Sequence, residues 1–461
     1  MLSNFLEGSE SLFGSDVRTE LRAQENIRTS VMLQKGNLVS NTRGVTSGVS
    51  ARVCKNGVYG FASIPELSKE AANKVLMEAT KNAQFLAMHT SASDSYKGVY
   101  TNKTISPDRE IVTTAQKDII DYCREVDEYI VKNCPNLASR GVRYSSDSMD
   151  KIILTSDAAS GHVVYPRSYI YINATATGAD GAPIDHYDVV GGVGSFDDYF
   201  KDFSKIQETV DKVYEEVMKK KEGVYAKAGL RDVILGGILP GMLAHEAVGH
   251  TVEADLVKGG SVAGPFLNKE VGSELVSMVD FANTAFGQQT PLPVYLDDEG
   301  IVAKDQVLIE KGILKGYMNN RDSANEYNMT PNGNARAWDF SDEPLIRMRN
   351  TAVLPGQSKL EDMIASIDDG YYLLGTNNGQ ADLTGEFMFG VSFGYEIKHG
   401  KLGKAILDTT ISGVAFEMLK TVDMVSDDFT WSSSGFCGKK QIMPCGLGGP
   451  AIKCKVTMGG R

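Results

Sequence analysis

His245-Glu246-Ala247-Val248-Gly249-His250 closes an apolar run that begins Val233-Ile234-Leu235-Gly236-Gly237-Ile238-Leu239. The run reads as a strand that feeds directly into a helix, and the helix carries two histidines around a glutamate. Only six histidines occur in the 461 residues. At this composition, His-Glu-x-x-x-His is expected about 0.005 times by chance in a chain of this length. Two imidazoles can hold zinc, and a carboxylate beside the metal can take a proton from water.

The spacing sets a geometric condition. Histidines four apart are separated by about 400° of α-helix and share a face; five apart they stand about 140° from each other. A regular helix therefore cannot aim both at one ion. The sequence predicts a distorted or terminating helix here, through a π-bulge or through backbone freedom at Gly249.

Catalytic zinc commonly takes three protein ligands and keeps one position for water. On the residues alone, the third ligand can be another histidine (His89, His162, His186 or His399), a carboxylate such as Glu253 or Asp255, or a cysteine. Cys437 lies in Ser434-Gly435-Phe436-Cys437-Gly438-Lys439, a small-residue turn sequence that can present a thiolate. Cys445 and Cys454 fit strand patterns and read as small apolar packing groups. His162 and His186 lie in strand-like runs without ligand spacing and read as structural or surface groups.

At 49.9 kDa the chain exceeds one typical core, so two or three domains are expected. The organisation reads as α+β: an N-terminal α+β region of antiparallel strands and helices, then a strand-rich C-terminal domain carrying the metal site. The boundary is placed near Gly223 to Gly229, giving residues 1–224, with possible subdomains 1–95 and 96–224, and residues 225–461. Residues 27–63 alternate apolar and polar with turns at Gly36, Gly48 and Gly57. Helices are expected over 66–88, over 107–133 with Pro107 in the first turn, and over 203–221. Strands fill 140–200, and short helices fall near 358–368 and 414–421. Residues 257–272, rich in glycine, read as a flexible loop and a flap over the metal.

The formal net charge is −12. An acidic surface argues against direct nucleic-acid binding, which uses Lys/Arg patches. The N-terminus lacks a signal-peptide pattern, and no stretch approaches the ~20 apolar residues of a membrane span. Six cysteines at irregular spacing do not form a disulfide framework, and a cytoplasmic location is expected.

Several stretches together resemble the TldD branch of the TldD/PmbA (TldD/TldE) metalloprotease family. They include Gly241-Met242-Leu243-Ala244 with the histidine motif, Glu253-Ala254-Asp255, Gly48-Val49-Ser50-Ala51-Arg52 and Gly57-Val58-Tyr59-Gly60-Phe61-Ala62-Ser63. Further on stand Asp297-Asp298-Glu299-Gly300, Gly333-Asn334-Ala335-Arg336, Arg347-Met348-Arg349-Asn350, Leu383-Thr384-Gly385-Glu386-Phe387 and Cys437-Gly438-Lys439 with Gln441. The resemblance implies a zinc-dependent peptidase acting on unfolded or extended peptides. His245, His250 and Cys437 would be the Zn2+ ligands and Glu246 the general base. It also implies a dimer that encloses the site, with a PmbA/TldE-like paralogue or a second copy as partner. Asn332 stands where that family usually has threonine, and the segment after Cys437 is slightly shorter; neither change touches a proposed ligand.

Two other classes fit the same residues. One is a binding or regulatory protein whose metal is structural, closed by a fourth ligand such as Glu253 or Asp255. The other is a zinc hydrolase of non-peptide amides. The oxyanion donor is not set by the motif, and Arg336, Arg347 and Arg349 are candidates, each equally readable as a surface ion-pair residue.

Overall fold

The computed structural model describes residues 2–90, 104–105, 110–157 and 160–460. The N-terminal half is built on one eight-stranded sheet. Arg18–Gln34, Asn37–Lys55 and Val58–Ile64 form a meander, joined by two-residue turns at Lys35-Gly36 and Asn56-Gly57 whose residues all have positive φ. That is the turn geometry whose twist matches paired strands, and Asn-Gly is its strongest sequence signal. Gly48 is not a turn: it sits inside the strand Asn37–Lys55. A Cβ there would lie 2.3 Å from the Ile64 carbonyl and 2.6 Å from the Phe340 ring, so glycine serves close approach.

The helix Lys69–Ala87 starts at Ser68, whose hydroxyl accepts from the Ala71 amide. Ala72, Val75, Leu76, Ala79 and Ala83 form its buried stripe against the meander, while Leu86 is exposed. On the other side, Arg18–Gln34 pairs with Ser139–Thr155, which in turn pairs with Ser160–Tyr165 and Arg167–Thr177. Pro183–Val193 completes that edge. The helices Gln116–Asn133 and Ser204–Lys221 cover this part through Ile119, Val126, Ile130, Val210 and Val217. The first of these begins later than the sequence suggests, and Pro107 lies outside the described residues.

The C-terminal half contains two large sheets and two small two-stranded ones. Gly229–Leu235, Ile452–Met458, Thr409–Val414, Glu386–Lys398 and Asp369–Ala381 pair in a ring that closes between the last two and the first. Closure removes the unpaired edges that open sheets expose. A second sheet of six strands runs from Ile313–Leu314 through Gln306–Glu310, Met278–Phe281, Asn350–Val353 and Met443–Gly449 to Thr430–Cys437. Between the sheets lies the helical stretch 239–252. Leu239, Leu243, Ala244, Ala247, Val248 and Val252 are fully buried there, packed with Leu235, Met278, Val353, Phe389 and Ile411. A helix apolar on all sides belongs in a core, and this burial fixes the position of the histidines it carries.

A buried charge network joins the halves. Lys151 holds both oxygens of Asp298 at 2.9 Å, Arg22 reaches Asp298 at 3.0 Å, and Arg52 bridges Glu20 at 2.7 Å and Glu299 at 2.5 Å. Removing one partner would strand a buried charge, so Asp297-Asp298-Glu299-Gly300 acts as a docking element for the N-terminal sheet. No helix among the described residues is long and apolar enough to cross a membrane.

Candidate metal centre

The helical stretch changes its winding at the motif. Leu239–Met242 is α-helical, Leu243–Gly249 is π-helical, and His250–Val252 is a 3-10 turn. The amide of His250 donates to the carbonyl of His245, an i→i+5 bond. That pitch stacks residues five apart, which is what the spacing demanded. Gly249 has ordinary helical angles (φ −53°, ψ −50°), so backbone freedom is not its role. A Cβ there would stand 2.2 Å from Met348 Sδ, so glycine lets the helix press against Met348.

His245 is 1 % exposed, and both of its ring nitrogens are buried without a hydrogen-bond partner. Such orphaned groups are costly unless a ligand completes them. The rings of His245 and His250 meet edge-on with centroids 5.2 Å apart. Cys437 arrives from the opposite wall, at the end of the strand Thr430–Cys437, and its Sγ lies 3.3 Å from His250 Nε2. Ligand atoms of His245, His250 and Cys437 all fall within 4.8 Å of one another. Tetrahedral zinc with nitrogen and sulfur ligands spaces them about 3.3–3.8 Å apart, so the set fits such an ion after small adjustment.

Glu246 stands beside this set and remains partly exposed. Its carboxylate is 4.0 Å from His245 Nε2 and 3.7 Å from His250 Nε2. Glu253 plays a different part: fully buried, it binds His250 Nδ1 at 2.8 Å. A carboxylate behind a ligating imidazole fixes its orientation and raises its basicity. Lys439 holds Glu253 at 3.3 Å and Asp255 at 2.7 Å, and also donates to the Ile346 carbonyl. Glu253 and Asp255 are thus turned away from the convergence point.

The electrostatics follow from this crowding. Burial alone would raise the Cys437 thiol, but the imidazoles of His245 and His250 outweigh it and bring it down to about 3. Burial disfavours a charged His250, yet Cys437 and Glu253 overcome it and lift the ring to about 9.

The loop after Cys437 is fixed by Arg347, which is fully buried. Its Nη2 donates to the Cys437 carbonyl at 2.9 Å, and its Nη1 to the carbonyls of Gln441 at 2.9 Å and Lys439 at 3.3 Å. Arg349 is bound to buried Asp280 at 2.8 Å, and Arg336 donates to the Met348 carbonyl at 2.6 Å. None of the three is a surface residue. Arg347 and Arg349 are committed to scaffold contacts instead of a substrate oxygen.

The remaining histidines lie elsewhere. His162 binds Asp150, His186 binds Glu216, His399 binds Asp368, and exposed His89 packs edge-on against Phe85. Cys454 is buried, and burial raises its thiol, in keeping with apolar packing. The segment 257–272 is not a free flap. Val257, Ala263 and Val271 are buried in the core, and Ser261 Oγ donates to the Thr251 carbonyl.

Residues 19–83, 111–220 and 228–460 match, in order, domain 1, the central domain and the C-terminal domain of the PmbA/TldA metallopeptidases. The chain belongs to the PmbA/TldD metallopeptidase family. It is 30% identical over 457 residues to a metalloprotease TldD homolog of Buchnera aphidicola, covering 96% of this chain and 92% of that one. It is 28% identical over 418 residues to a zinc metalloprotease TldD homolog of Saccharolobus solfataricus, covering 90% of each. Among solved structures, TldE from Thermococcus kodakarensis shares the fold with a TM-score of 0.72 at 18% identity, over 99% of each chain. The homology makes this chain a metalloprotease relative, and the His245, His250 and Cys437 cluster is where its fold gathers metal donors.

Proposed function

We propose that this chain is a zinc-dependent peptidase of unfolded or extended peptides, with His245, His250 and Cys437 as ligands and Glu246 as general base. One observation carries the reading: three donors converge, and the side chain facing them is Glu246, not a fourth ligand. A structural site would be closed. Glu253 and Asp255, the carboxylates able to close it, are committed to His250 Nδ1 and Lys439.

When bound, zinc lowers the pKa of water to about 7 and polarises the scissile carbonyl. Glu246 takes the proton of the attacking water and delivers it to the leaving amide nitrogen, so the C–N bond breaks with its proton balance closed. Glu253 and Lys439 hold His250 in place, and Arg347 holds the Cys437 loop. The strand Thr430–Cys437 is the outer strand of its sheet and ends at the thiol. An extended peptide docks along that edge by main-chain hydrogen bonds, with side chains alternating into pockets. The partner is a PmbA/TldE-like paralogue or a second copy, and the setting is a reducing cytoplasm in which all six cysteines stay free.

The reading is tested by offering one stable globular protein in native form and unfolded by mutation. The zinc-loaded protein should cleave the unfolded form and leave the native one nearly intact, because a folded chain must first expose an extended segment. Chelation should abolish cleavage. Equal rates on the two forms would overturn the demand for an extended chain, and chelator-insensitive cleavage would overturn the metal mechanism.

The raised His250 ring gives a pH prediction. Below about 9 that ring carries a proton in the metal-free protein, and an incoming ion must displace it. Zinc affinity should therefore rise between pH 7 and 9 by roughly tenfold per pH unit for each proton displaced, with proton release at pH 7. Chelator competition titrations measure this; affinity independent of pH would contradict it.

A further inference from the structure

We propose that a cavity of about 400 Å3 between the strands Pro183–Val193 and Thr430–Cys437 is a side-chain subsite of the same peptide site. It receives the part of an extended peptide about three residues from the scissile bond, and it selects aromatic side chains. The inference rests on the peptidase reading.

Its position follows from the strand. Ser434 lines the cavity and lies three residues before Cys437, which is about 10 Å along an extended chain. Ile238, at the start of the motif helix, forms another part of the wall. The strand bulges here: Ser432 pairs with Leu447 and Gly435 with Cys445, so Ser433 and Ser434 together oppose Gly446. Bulges near sites re-aim side chains and end pairing. The Ser433 carbonyl already accepts from Tyr169 Oη at 2.7 Å and from Arg167 Nη2 at 3.2 Å. A peptide paired to the outer edge of this strand between Cys437 and Ser434 must therefore leave the ladder at Ser433, beside the cavity.

Its chemistry follows from His186, which lines the cavity and is 8 % exposed. Nε2 binds Glu216 at 2.8 Å, while Nδ1 is buried and has no partner. The bond to Glu216 fixes the ring as one wall of the cavity. Phe393, whose ring lies 5.2 Å from that of His186, joins Tyr169 and Trp431 in the walls. Walls built from several aromatic rings suit an aromatic side chain packed edge-on or offset against them.

The test digests a randomised peptide mixture with the zinc-loaded protein and sequences the products. Tyrosine, tryptophan and phenylalanine should be enriched about three residues to one side of the cut. Tyr187→Ala, which removes an exposed ring from the cavity wall, should lower the preference for aromatic over aliphatic side chains by roughly tenfold. Ser434→Tyr, which fills the cavity from its wall, should raise KM for aromatic peptides with kcat unchanged. Thermal melts of both variants confirm folding. Cleavage with an identical profile in wild type and both variants would overturn the subsite while leaving the peptidase reading intact. Absence of cleavage by wild type would overturn the peptidase reading instead. The cavity would then be judged by tryptophan fluorescence: a tyrosine-containing peptide should shift Trp431 emission in wild type but not in Ser434→Tyr, and no shift in wild type overturns the proposal.

Discussion

Glu246→Gln is expected to retain wild-type zinc content and to lose cleavage of unfolded peptide by roughly 10²–10⁴. Glutamine keeps the shape and hydrogen-bonding reach of the side chain but cannot take up a proton at neutral pH. The substitution leaves His245, His250 and Cys437 untouched, and none of them depends on Glu246 for its hydrogen bonds. Binding and chemistry therefore separate: KM should change little and kcat should carry the loss. Metal analysis on the same preparation is the necessary companion measurement. A variant that is fully loaded and cleaves at the wild-type rate would falsify Glu246 as the base.

The geometry of the motif was legible because its spacing posed a physical question with few answers. Two imidazoles five apart share one face only if the helix widens, and the His250 to His245 bond is that widening. Gly249 shows the limit of the same reasoning. Sequence can flag a glycine, but whether it serves φ or space depends on Met348, about a hundred residues away in the chain and pressed against it only in the fold. Local signals also placed the Asn56-Gly57 hairpin and the stripe of Lys69–Ala87, where partner residues are near in sequence.

Other parts depend on contacts that no local pattern encodes. Cys437 and His250 are 187 positions apart, and nothing in the spacing selects that cysteine over the others; the family resemblance pointed to it. Arg347 and Arg349 were readable as surface ion-pair groups because a buried arginine has no sequence signature. Glycines in 257–272 suggested mobility, but Val257, Ala263 and Val271 between them face the core. Glu253 was visible only as one of two nearby carboxylates. Its place behind His250, and the clamp of Lys439 upon it, come from a turn after Val252 and from the strand hairpin that brings Lys439 in. Lysine two positions after the ligand cysteine was the one signal that could have been followed.

The second large effect is expected at that cysteine. Cys437→Ala should strip zinc to well below one ion per chain after dialysis at neutral pH, measured by atomic absorption. Thiolate supplies both charge and softness to the site. Its loss leaves two imidazoles, which at neutral pH are a poor match for the ion and compete with protons. The fall in affinity should exceed the roughly 10–100-fold cost of losing an outer hydrogen bond, such as that from Glu253. Cys445 offers the sharpest internal control. It is buried in the same cluster as Cys437 and stands beside His245. Cys445→Ala should keep its zinc, since Cys445 is not among the three donors that converge. Full occupancy in Cys437→Ala would sink the three-ligand assignment, and its loss only in the double variant would show that Cys445 can stand in as the thiolate.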